Sequence, residues 1–258
     1  MSDALFTPDG GRFVPSEHAR GPWDPAAMHG GPTAALMGGA MESLPSETAM
    51  TVVRTTIEIL RPVPLRPVSV SARIERNGRR VQFLSASVSD GDTELCRASA
   101  WRIRVADVDL GLQPLEHYDF AGPDASTPHV PDSEGPAFHR TGVEMRYARG
   151  SFTELGPATV WIRLAMPVVA GETPTPLQRT LAAADFGNGV SAVVPWGQFL
   201  FINTDLTVAT LSIAQGAWIG LEARTELGGQ GCGVAYSRLW DERRPIGHSI
   251  QSLLVERL

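Results

Sequence analysis

Along most of this chain hydrophobic and polar residues alternate, the period of a half-buried strand. Alternation or β-branched enrichment predicts strands over residues 51–60 (TVVRTTIEIL), 67–76, 79–89 and 93–105. Asn77-Gly78 and Asp90-Gly91 separate three of them, and such dipeptides favour tight hairpin turns. Ahead of these strands, residues 25–44 are rich in Ala, Met and Leu, open with Pro25 and stop before Pro45, which predicts a helix. Periodicity then disappears over 106–137, where GPDASTPHVPDSEGP collects turn residues and reads as a linker. Beyond it the order returns. Strands are predicted at 139–148 and 158–166, a helix at 175–193, and strands at 199–210, 218–225, 233–241 and 247–256.

A long helix before a run of antiparallel strands, met twice, is the pattern of an internal duplication. An offset of 150 residues sets Arg54 on Thr204, Trp101 on Gln251 and Ala35 on Asp185. Each unit is α+β, with a sheet that covers one face of its helix and leaves the other for a partner. Two of them in one chain form a pseudo-dimer: an N-terminal unit over 1–110, a linker over 111–137 and a C-terminal unit over 138–258. Only the second copy then carries a polar constellation, so one functional centre is expected.

Composition narrows the chemistry. The 258 residues are 43% hydrophobic and 19% charged, as in ordinary folded proteins. Net charge is -6 and no basic block occurs, so no nucleic-acid partner is expected. All 22 basic residues are Arg, which excludes Schiff-base and P-loop lysine mechanisms. Cys96 and Cys232 lie far apart without metal-ligand spacing, so they read as separate reduced thiols, and no metal is expected. Neither a signal-like N-terminus nor an apolar run of membrane length is present, which points to the cytoplasm.

Among candidate functional residues, Asp185 interrupts a small, apolar stretch, LAAADFGNGVSAVV, and a carboxylate there needs partners or a job. It is also placed to cap a helix that ends at Gly187 or Gly189. His29-Gly30-Gly31 opens the first helix, where glycines admit close approach and free N–H groups attract negative charge; a histidine cap with glycines for tight packing is the other reading. Gln251 faces a site or the opposite side according to strand register. Asp241-Glu242-Arg243-Arg244 reads as a solvated turn. Arg61, Arg66, Arg79 and Arg80 suit phosphate groups but equally suit ordinary edges and turns.

Five segments, MHGGPTAALM, RTTIEILRPVP, LAAADFGNG, FINTDLTV and GHSIQSLLV, keep an order and spacing that resemble the double hotdog acyl-CoA thioesterase family, of the acyl-CoA thioesterase II type. The resemblance spans nearly the whole chain and is weakest in the linker and the first two dozen residues. It implies two tandem hotdog folds, each a long helix wrapped by an antiparallel sheet. The implied activity is hydrolysis of an acyl-CoA to fatty acid and CoA by water, without cofactor. The family's catalytic Asp falls on Asp185, its Gln on Gln251, and its middle hydroxyl or amide residue on Asn203, with Thr204 as the neighbouring alternative. His29, Gly30 and Gly31 are then expected at the substrate, the glycine amides holding the oxyanion, and Met37, Met41, Phe186 and Trp196 along the acyl slot. A homo-oligomer is expected as well. Two alternatives remain: a non-catalytic acyl-thioester or lipid-binding protein, and a double hotdog hydratase or dehydratase. The latter needs a His/Asp pair, and no His follows Asp185 within ten residues.

Overall fold

The alternating stretches become strands of one large antiparallel sheet. In the computed structural model, which describes residues 4–109, 111, 117–131, 133 and 135–258, a hairpin of β1 (Phe6–Asp9) and β2 (Arg12–Pro15) precedes helix α1 (Gly30–Glu42). The four long strands β3 (Met50–Ile59), β4 (Ser69–Asn77), β5 (Val81–Asp90) and β6 (Thr93–Arg104) follow. Next come β7 (Thr127–Pro128), β8 (Val143–Arg149), β9 (Ala158–Leu164), α2 (Pro176–Ala184) and the one-turn α3 (Gly187–Val190). The chain closes with β10 (Phe199–Asn203), β11 (Asp205–Thr210), β12 (Ile219–Leu227), β13 (Cys232–Trp240) and β14 (Pro245–Arg257). Residues 112–116, 132 and 134 of the expected linker lie outside the described residues, as do 1–3 and 110.

Strand order shows the duplication. β4-β5-β6-β3 in the first unit matches β12-β13-β14-β11 in the second, and β3 pairs with β11, so one sheet runs through both. At that seam Thr56 stands opposite Thr207, their hydroxyls 3.1 Å apart. The pairing registers correct the offset to 151: Ile57 opposite Ala98 recurs as Val208 opposite Ser249, and Ala72 opposite Ala86 as Ala223 opposite Ser237. Side chains in a strand alternate between faces, so the one-residue difference matters. Gln251 corresponds to buried Ala100, whereas Trp101 lies on the opposite face.

The helices are shorter than predicted, for local reasons. α1 starts at Gly30 rather than at 25, which keeps Pro32 in the first turn, where no intrahelical N–H bond is required. The segment before it is held instead by strand-like bonds, Met28 N–H to the Val63 carbonyl among them. α2 begins with a capping box, Thr175 and Gln178 each bonding the other's backbone, and ends at Asp185. The two helices pack against each other, α1 on β3, β4 and β5, and α2 on β9 and β12.

One further expectation changes. The first residues of the strand placed at 139–148 form a π turn, Phe138–Gly142, closed by the Thr141 side chain on Ala137. Within the linker stretch, Tyr118 and Phe120 pack on Trp161 and Trp240. Among the described residues no helix is long and apolar enough to cross a membrane.

Candidate active site

The predicted second helix is broken where its carboxylate sits. Asp185 is the C-cap of α2, and the chain restarts as α3 two residues later. The break is braced from behind: Gln251 on β14 accepts from the Asn188 N–H at 3.1 Å and donates to the Asp185 carbonyl at 3.2 Å. Both backbone groups are orphans of a helix terminus, and one amide satisfies them together. Asp185 thus is a cap, as one sequence reading had it, and is also 4% exposed, as the other required.

An irregular strand supplies the next residue. Asn203 pairs with Leu253 but Thr207 with Ile250, so four steps on one side match three on β14, and the extra residue falls at Thr204. A bulge reverses facing. It brings Asn203 to the same side as buried Leu206, and its amide donates to Asp185 Oδ1 at 3.0 Å. Thr204 bonds Asp205 Oδ1 and the Ser252 carbonyl instead, both at 3.4 Å. The first unit has a matching irregularity between Val52 and Arg54, so Val52 stands where Asn203 does.

The third partner comes from the other unit. His29, N-cap of α1, places Nδ1 2.8 Å from Asp185 Oδ2. The Gly31 N–H also points at Nδ1, at 3.1 Å. One ring nitrogen cannot donate to a carboxylate and accept from an amide together. The shorter, charge-assisted contact governs, so Nδ1 carries the proton and Asp185 accepts it. Phe186 and Phe138, stacked on each other at 5.4 Å, pack against the ring with centroids at 4.8 and 5.1 Å.

Several of these groups border a cavity of about 390 Å³. His29, Gly30, Asp185, Asn203 and Thr204 line it; Gly31 and Gln251 do not. Gly31 is packed against Phe138 and the Ala182 carbonyl, so it serves close approach. The Gly30 N–H, at the first position of α1, has no acceptor within its own helix. The remaining wall is largely apolar, with Ile57, Ile59, Leu60 and Val63 from the first unit facing Phe152, Phe186 and Trp196 from the second. Of the expected slot residues Phe186 and Trp196 are in place, whereas Met37 and Met41 are fully buried in the core. The Cys96 thiol also borders the cavity; burial first, then the nearby Asp185 charge, push it up to about 12, so it stays protonated and is no nucleophile.

Family comparison agrees with the duplicated architecture. The model for the acyl-CoA thioesterase N-terminal domain matches residues 19–103, and that for the C-terminal domain matches residues 121–255. The chain belongs to the acyl-CoA thioesterase family. No curated protein matches it at a significant level. Among solved structures, the chain is similar to a conserved protein of unknown function with a hot dog fold from Alicyclobacillus acidocaldarius, with TM-score 0.76 and 18% identity over 98% of this chain and 97% of that one. It is similar also to the tesB protein of Mycobacterium avium subs paratuberculosis (TM-score 0.68, 15% identity, 97% and 96% covered) and to acyl-CoA thioesterase II TesB2 of Mycobacterium marinum (0.62, 13%, 90% and 90%). At such identity the likeness concerns the fold, and it makes this acyl-CoA thioesterase family member a double hotdog.

Within this acyl-CoA thioesterase fold, two things went unseen in the sequence. Asn188, whose side chain donates to the Phe201 carbonyl at 3.0 Å, lines the cavity without having been singled out. The second is the His29/Asp185 pair: no His follows Asp185 within ten residues along the chain, which weakens the hydratase alternative, yet α1 and α2 pack side by side and deliver one.

Proposed function

We propose that this protein hydrolyses acyl-CoA thioesters to free fatty acid and CoA by direct attack of water, using the second unit's polar residues and the first unit's helix start as one site. The observation that carries this is the buried Asp185 carboxylate, held by His29 on one oxygen and Asn203 on the other, at the wall of an apolar cavity. Burying a carboxylate is unfavourable unless it is paired, and the pairing here also fixes its direction. The acyl chain lies along the apolar wall with its carbonyl near Gly30, whose amide stabilises the oxyanion. Asn203 orients Asp185 directly; Gln251 does so through the backbone it braces. No metal or redox group takes part. The deciding experiment follows free thiol from short, medium and long acyl-CoAs with wild type and Asp185→Asn. Turnover in the wild type, lowered about a hundredfold to ten-thousandfold in the variant, is expected; a silent wild type across the panel rejects the reading.

The same His/Asp pair favours a second reading, addition of water to an enoyl-CoA. That reaction consumes the conjugated double bond and releases no thiol, so following both signals on one enoyl-CoA separates the two.

A further inference from the structure

The geometry points to His29 Nε2, rather than Asp185, as the atom that takes the proton from the attacking water. This assignment rests on the hydrolase reading above and specifies its proton path. With Nδ1–H directed at Asp185 Oδ2, 2.8 Å away, the neutral ring has its one free lone pair on Nε2. Nε2 makes no hydrogen bond among the described residues, while each Asp185 oxygen already accepts one. His29 itself lines the cavity, and the stacked pair of Phe138 and Phe186 packs against its ring and restrains the plane in which that lone pair lies. Asp185 therefore acts on His29: it selects the tautomer and stabilises the imidazolium that forms. Asp185 is the charged group in contact with the ring. Asp24, Arg61, His139 and the Cys96 thiol line the same cavity.

In the proposed step the water oxygen bonds to the thioester carbonyl carbon as its proton passes to Nε2, and the carbonyl π pair moves onto oxygen beside the Gly30 N–H. Collapse of the tetrahedral intermediate breaks the C–S bond. The imidazolium returns its proton to the departing CoA sulfur, and the carboxylic acid loses its own proton to solvent.

His29→Asn tests this with little disturbance. Asn sets an amide N–H where Nδ1 stands, so Asp185 keeps its donor, and Asn is a good helix N-cap; only Nε2 is lost. The expected result is a kcat about a hundredfold to ten-thousandfold lower, a KM within about threefold of wild type and an unchanged Tm. Wild-type kcat/KM should show an acid limb that is absent from the residual activity of His29→Asn. A His29→Asn kcat within about threefold of wild type, or an acid limb that survives in it, overturns the assignment. Should His29→Asn fail to fold, the wild-type profile decides alone: without an acid limb the assignment is overturned. A wild type that releases no thiol from any acyl-CoA overturns the hydrolase reading, whereas an active wild type with an equally active His29→Asn overturns this inference only.

Discussion

A methyl group at Gly30 would stand 2.7 Å from Asp185 Oδ2 and 2.8 Å from Oδ1, so Gly30→Ala must drive the carboxylate away from His29. Thiol release by that variant is expected to fall by at least tenfold while far-UV circular dichroism keeps its wild-type form. Asn203→Ala removes a hydrogen bond to a charged group, worth about 1.5–3 kcal/mol, and should lower kcat/KM tenfold or more, whereas Thr204→Val should change it little. If Thr204→Val is the damaging change, the facing derived from the bulge is wrong. Sequence left these two neighbours open for a physical reason: alternation predicts facing only in a regular strand, and one inserted residue reverses it. Cys96 tests the electrostatics. Its thiol is raised to about 12 in the fold, above the unfolded value of about 8.5, so its contribution to stability is full below that value and is lost as pH climbs toward 12. Near pH 8, iodoacetamide should therefore label exposed Cys232 and spare Cys96, as peptide mass mapping would show, and Cys96→Ala should keep its thiol-releasing activity.

At the scale of elements, the break between α2 and α3 makes the site. A continuous helix over 175–193 agrees with its composition, and the glycines at 187 and 189 hint at an end without saying where the chain goes next. What fixes the break is a residue over sixty positions away. A Cβ on Gly187 would lie 2.7 Å from Gln251 Oε1, so glycine and glutamine must be matched. Gln251→Ala leaves the Asn188 N–H and the Asp185 carbonyl buried without partners, at about 1–3 kcal/mol for each unsatisfied group. A Tm several degrees lower is expected, together with a fall in kcat at roughly constant KM, because the acyl wall is untouched while the carboxylate loses its mounting. A Gln251→Ala protein with wild-type Tm and lowered kcat would instead place the Gln amide in the chemistry. The strands and their order were readable because alternation and hairpin dipeptides are local; the helix limits depended on Pro32 and Gln251, whose effects appear only in three dimensions.

For the whole molecule, the proposed catalytic centre draws on both halves. The second unit holds Asp185, Asn203 and Gln251, and the first brings His29, Gly30 and the wall formed by Ile57, Ile59, Leu60 and Val63. The duplication was visible from the sequence, but its offset was one residue short, and only the register shows Gln251 replacing an alanine of the other copy. Divergence followed from the pseudo-dimer: positions equivalent to Asn203 and Gln251 hold Val52 and Ala100, so the first copy is left with the helix start and apolar lining. The halves are also joined physically, because β3 and β11 exchange backbone bonds and α1 rests on α2. A chain cut ahead of His117 keeps Tyr118 and Phe120 on their tryptophan cluster. Each fragment alone would expose a long unpaired strand and an apolar helix face, which favours aggregation. Neither fragment by itself should release thiol from acyl-CoA, while the two expressed together should copurify and recover activity, with His29→Asn in one fragment as damaging as Asp185→Asn in the other. Activity in the second fragment alone would mean that the first half lends only solubility, and that the His29/Asp185 pair spanning the halves is dispensable.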